Sequence, residues 1–127
     1  MELVPMQNTL KALIKYKNQP VIFSLISDQT PTKSESTYWT KFLNQDTLVF
    51  LGAEKLAKLT NYPVIYFDIH RLKRGFYEIE FVKLFDNPKI TSEFEITEKH
   101  VRFLEKTIRE KPQDWLWSHK RWKHKKI

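Results

Sequence analysis

Asp28-Gln29 places a carboxylate and an amide directly after an apolar, β-branched run, Val21-Ile22-Phe23-Ser24-Leu25-Ile26. Open α/β sheets hold ligands just outside the carboxyl ends of their strands, so such a pair is well placed to support a site. Asp28 also suits a simpler role, capping the following loop through its own backbone. His70, Arg71, Lys73 and Arg74 follow a second apolar run, where they could meet a phosphate or form a solvated basic turn. The four histidines, His70, His100, His119 and His124, have no spacing typical of a metal site and no obvious nucleophile beside them. Neither a metal nor a cofactor is assigned.

The segment Trp115-Leu116-Trp117-Ser118-His119-Lys120-Arg121-Trp122-Lys123 mixes three tryptophans with cations. Trp117, Lys120, Trp122 and Lys123 suit a membrane interface, where indoles lie at headgroup depth and cations meet anionic lipid. The same composition could stack bases and bind phosphates, or the rings could pack on a core with the charges left as a solvated end. Five cations and no acid lie in residues 118–127, whereas the other 17 basic and 15 acidic residues nearly balance, so the net charge of +7 belongs to this end. An anionic partner is sought there.

These groups need elements to position them. Asn8 or Thr9 can cap a helix to about Lys17 with Leu10, Leu13 and Ile14 on one face, closed by Pro20. The run 21–26 reads as a strand buried on both faces, and 30–37 as a polar surface loop. Residues 38–43 read as a strand or extended segment, and 48–59 as a buried helix ending near Asn61. Val64 to Ile69 reads as another buried strand, 71–75 as a turn, and 76–84 as its hairpin partner at a sheet edge. Thr97 is a plausible cap for a helix to about Glu110, with Val101, Leu104 and Ile108 on one face and Pro112 ending it. This order implies an α/β fold: a mixed sheet flanked by helices.

Four Trp, five Tyr and nine Phe against two Gly argue for an ordered core and against a linker, within a length that suits one domain or part of one. The absence of Cys excludes disulfides, thiolate metal sites and cysteine nucleophiles. No apolar run approaches the ~18 residues that cross a bilayer, and residues 1–5 lack the basic and apolar regions of a signal peptide.

Read in order, several pieces resemble the late acyltransferases of lipid A biosynthesis, within the glycerolipid acyltransferase superfamily, in a Bacteroidetes-like form. They are Leu3-Val4-Pro5-Met6, Ser27-Asp28-Gln29, Tyr38-Trp39-Thr40-Lys41-Phe42-Leu43, Gly52-Ala53-Glu54-Lys55-Leu56-Ala57, Pro63-Val64-Ile65, Arg74-Gly75-Phe76-Tyr77 and the closing run Pro112 to Lys123. The closing run is the most specific. Asn44 departs from the pattern, since many relatives have Gly there.

The resemblance implies that residues 1–127 form the C-terminal part of a single acyltransferase domain, with a basic Trp-rich tail at 115–127. It implies transfer of a fatty acyl group from acyl carrier protein, or another acyl thioester, to a hydroxyl of a lipid A precursor, at the cytoplasmic face of the bacterial inner membrane. The family's reaction centre is a His with an acid after four intervening residues, the His acting as general base. Only His100 and Glu105 fit that count, His70 having Gly75 in that place, and they lie in the C-terminal helix instead of the family's context. The catalytic motif and membrane anchor would then lie upstream of Met1, and these residues alone would be inactive. Asp28 and Gln29 become supporting residues of the site, and Arg71, Arg74 and Arg121 candidates for phosphate or carrier-protein contacts. The rival from another class is a small basic nucleic-acid-binding module. A third possibility is self-association through sheet surface that another part of the domain would cover.

Overall fold

The computed structural model describes residues 2–126. Its centre is helix α3, Glu95–Glu110, whose Val101 and Ile108 are buried and whose Leu104 is half-buried on the same face, as their spacing requires. Glu95 and Glu98 in its first turn and Arg109 in its last suit the helix dipole. The helix begins two residues before Thr97, after Phe94 in the left-handed region at φ 64°, so Thr97 is not its cap. Instead Glu54, from helix α2 (Gly52–Thr60), accepts hydrogen bonds from the N–H groups of Phe94 and Thr97 at 2.8 and 2.9 Å and from the Thr97 hydroxyl at 2.6 Å. One carboxylate thereby satisfies amides that α3 cannot pair internally.

Strands β1 (Trp39–Phe42) and β2 (Gln45–Leu48) pair antiparallel across Leu43-Asn44 and pack on α3. The strand expected at 38–43 is present, but its partner β2 runs up to Leu48, where the expected helix at 48–59 would begin, and α2 starts only at Gly52. The missed signal is the two-residue turn. Leu43 and Asn44 both have positive φ, 47° and 66°, as tight hairpins of matching twist require. Asn tolerates that region better than most residues with a side chain. Leu43 is held in it by its N–H, which donates to Glu105 Oε1 at 2.6 Å, and by packing of its side chain on the core.

Strands β3 (Val64–Lys73) and β4 (Phe76–Phe85) form the second hairpin, at the expected place, turning through Gly75 at φ 79°. Only one face of it packs. Ile65, Phe67 and Ile69 are exposed, as are Phe81 and Ile79 opposite the last two, whereas Tyr66, Asp68 and His70 between them are half-buried. The α/β class therefore holds, but its sheets are two separate antiparallel hairpins. No single mixed sheet joins them among the described residues.

The largest departure is at 21–26. This run has no regular secondary structure and no ladder partner among the described residues, and Ile22 and Ile26 are exposed. Its composition is that of a sheet interior, but among the described residues no strand pairs with it to take its backbone hydrogen bonds. Helix α1 (Thr9–Lys15) is likewise shorter than expected, with Leu13 buried and Leu10 and Ile14 exposed. Helix α2 ends as expected, at Asn61 in the left-handed conformation, whose N–H donates to Ala57 O at 2.8 Å.

The loop at 30–37 and the basic tail are not simply surface. Pro31 and Ser36 are buried, Trp122 donates from Nε1 to Thr47 Oγ1 at 2.9 Å, and Trp115 and Trp122 pack around Phe42. These contacts make Trp115 and Trp122 part of the β1–β2 core.

The positive-φ turn gives a direct test. Asn44→Val should lower stability by ~1–2 kcal/mol, because a β-branched residue resists the left-handed conformation, whereas Asn44→Gly should stay near wild type. Urea unfolding of the three proteins checks the order.

Candidate functional site

Helix α2, helix α3, strand β3 and the extended run 23–28 wall a cavity of about 800 Å³. Its lining is chiefly apolar, including Phe23, Leu25, Leu56, Leu104 and Trp115, with ionisable groups among them: Asp28, Asp68, His70 and His100, besides Glu54, Arg71, Lys111 and Asp114. A concave, mainly apolar space with a few convergent polar groups is the usual form of a small-molecule site.

Asp28 is placed by its neighbours on the chain. The Thr30 hydroxyl donates to the carbonyls of Lys120 and Arg121 at 2.9 and 2.7 Å, and the Thr30 N–H donates to His119 Nε2 at 2.9 Å. This clip ties the loop to the tail and leaves Asp28 half-buried on the cavity wall, where its charge acts on Tyr66, His100 and Arg121. Burial pushes the His100 imidazole below its ordinary pKa, and Asp28 only partly opposes that, so His100 is a neutral group at pH 7. Burial likewise pushes the Arg121 guanidinium down to about 10, again partly opposed by Asp28, which leaves it charged at pH 7.

The residues singled out from the sequence divide clearly. Asp28 and Arg71 line the cavity, and Arg71 Nε pairs with Asp114 at 3.1 Å. Gln29 is exposed and not part of that wall, and Arg74 lies exposed in the β3–β4 turn. Arg121 is 4% exposed, donates from Nη1 to Leu48 O at 2.8 Å and lies over the Phe42 ring. Its Nε–H has no partner among the described residues. Trp117, Lys120 and Lys123 are exposed, while Trp122 is packed into the core.

Two placements bear on the chemistry. His100 lines the cavity, but the Glu105 carboxylate is engaged by Leu43 N–H and by Arg102 Nη1 at 2.6 Å each. Five positions on a helix separate two side chains by well over 90°, and this pair forms no dyad. Sequence reasoning missed a different pair. Asp68 Oδ2 lies 3.2 Å from His70 Nε2, while Asp68 Oδ1 accepts from the Thr107 hydroxyl at 2.9 Å. The available signal was the i, i+2 spacing on a strand, which puts both side chains on one face.

With this geometry in view, comparison with known families matches residues 1–124 to the bacterial lipid A biosynthesis acyltransferase family. No curated protein and no solved structure matches the chain. Among the described residues no helix is long and apolar enough to cross a membrane.

The burial of His100 has a consequence for pH dependence. Its folded pKa is depressed, so the unfolded chain takes up the proton more readily. Stability is therefore complete above the ordinary His range and is lost as pH falls below about 6.5. A His100→Leu variant should show a smaller fall in Tm between about pH 7.5 and 5.5 than the wild type. An equal fall in both proteins would contradict the assignment.

Proposed function

This chain belongs to the bacterial lipid A biosynthesis acyltransferase family, and from that premise we propose that its cavity receives a fatty acyl chain. The acyl group would come from acyl carrier protein or another acyl thioester and pass to a hydroxyl of a lipid A precursor or related lipid. The observation that carries this reading is the cavity itself, about 800 Å³ and chiefly apolar, with ionisable groups at a few points on its wall. That volume lies within the range of sites that enclose a small ligand.

In this reading Asp28 is a positioning residue whose charge acts on the polar side of the cavity, and Gln29, exposed beside it, would offer its amide to a ligand entering from outside. Arg71 at the wall, with Arg74 farther out, would meet phosphate or carrier-protein acids. Arg121 fits a different part, since its guanidinium is buried against β2. Trp117, Lys120 and Lys123 are exposed together and suit an anionic membrane surface, such as the cytoplasmic face of the inner membrane. The exposed apolar face of the β3–β4 hairpin suits self-association or cover by another part of the domain.

The general base of the family, a His with an acid after four intervening residues, has only His100 and Glu105 as a numerical counterpart here, and those two groups face different neighbours. We therefore expect these 127 residues to bind acyl chains without completing transfer. Loss of a general base costs ~10²- to 10⁴-fold even where the remaining site is intact.

Two measurements check the proposal together. A fluorescent fatty acid should bind the chain saturably and lose about tenfold in affinity in Ala53→Trp, a change that fills the cavity wall. Incubation with an acyl carrier protein thioester and a lipid A precursor should give no turnover. Binding unaffected by Ala53→Trp would remove the cavity from the account, and turnover by the chain alone would refute the missing base.

A further inference from the structure

We propose that Asp68, His70 and Glu80 form a site for a divalent transition-metal ion, of which Zn²⁺ is the natural probe. The site arises from strand geometry. Asp68 and His70 lie two apart on β3 and share a face, and Glu80 is the residue directly opposite Asp68 in the ladder with β4. Directly opposed side chains stand ~4.5–5.5 Å apart at Cβ, close enough for both to reach one ion. One ligand atom from each of the three residues lies within 4.8 Å of the others.

The distances suit coordination. Two ligands each about 2.0–2.1 Å from a tetrahedral Zn²⁺ are about 3.3–3.4 Å apart. Asp68 Oδ2 and His70 Nε2 are 3.2 Å apart, so an ion can sit between them with little movement. Glu80 is exposed and closes the remaining gap, at most ~1.4 Å, by side-chain rotation. The Thr107 hydroxyl holds Asp68 Oδ1 at 2.9 Å, which leaves Oδ2 directed at the ion, as second partners of metal ligands commonly do.

Charge supplies the second argument. Asp68 faces Glu80 across the ladder, and His70 faces Glu78 in the next pair on that face. Like charges directly opposite destabilise a sheet, and here His70 is the one potential cation among these four groups. A divalent ion converts that repulsion into coordination. One imidazole and two carboxylates match Zn²⁺ better than Mg²⁺, which prefers an all-oxygen octahedral shell. Three protein ligands leave a fourth position open, and because Asp68 and His70 also line the cavity, an anionic oxygen entering there could occupy it.

The test is a Zn²⁺ titration of the whole chain against a chromophoric chelator, repeated with Co²⁺ to read the absorption bands of a low-coordinate site. One equivalent should bind. His70→Gln and Glu80→Gln should each weaken binding at least about tenfold, whereas His119→Gln with His124→Gln should leave it within about twofold. Glu80 is exposed, so circular dichroism of Glu80→Gln should match the wild type and separate lost binding from lost fold. Absence of saturable binding, affinity unchanged in both Glu80→Gln and His70→Gln, or equal competition by Mg²⁺ would overturn the proposal. None of these readouts involves acyl transfer, so the site stands or falls apart from the acyl-binding reading.

Discussion

One carboxylate organises the interior. Glu54 is 4% exposed, comes from α2, and accepts the amides of Phe94 and Thr97 and the hydroxyl of Thr97 at the start of α3, with Lys58 Nζ 3.1 Å away. Burial pushes its carboxyl up, but the Thr97 hydroxyl and amide, Lys58 and the Phe94 amide outweigh that and hold it below the usual carboxyl range. Hydrogen bonds to a charged group contribute ~1.5–3 kcal/mol each, a large share of the ~5–15 kcal/mol that keeps a domain folded. Glu54 thus fixes α2 against the N-terminus of α3, and both helices are walls of the cavity.

The rest of the site follows from that fixed angle. With α3 anchored, its Val101 and Ile108 form a core with Phe42 and Val49, and this core receives Trp115 and Trp122 from the end of the chain. The tail in turn holds Thr30, and Thr30 sets where Asp28 lies. The path from Glu54 to Asp28 is therefore a continuous set of contacts, and the polar side of the cavity depends on packing far from it in sequence. Trp122 shows how composition can mislead here. Beside lysines it looks like an interfacial residue, but its indole N–H is used by Thr47 in the core.

What was legible in the sequence was whatever rests on local periodicity. The apolar face of α3, the end of α2 at Asn61 and the β3–β4 hairpin all follow from short-range spacing and turn chemistry. Long-range pairing was not legible. The run 21–26 has the composition of a buried strand, but a strand needs a neighbour, and no local feature says whether one is present. Glu54 belongs to Gly52-Ala53-Glu54-Lys55-Leu56-Ala57, a segment that carries the family likeness, yet its role as a cap for another helix is visible only once α2 and α3 meet. Asp28 stood out by its position after an apolar run, and it lies on the cavity wall. Asp68 with His70 was not, because its significance comes from Glu80 on the opposite strand and Thr107 on α3.

The most direct test of this account is a double-mutant cycle between Glu54 and Thr97, using Glu54→Gln, Thr97→Val and the combined variant in urea unfolding at neutral pH. A structural bond of this kind should give a coupling energy of ~1–3 kcal/mol. Because the Glu54 carboxyl is depressed, its contribution is present above the ordinary carboxyl range and is lost as pH falls, so the coupling should shrink on acidification. Substitutions that add within about 0.3–0.5 kcal/mol at neutral pH would contradict the claim that this carboxylate ties the cavity walls together.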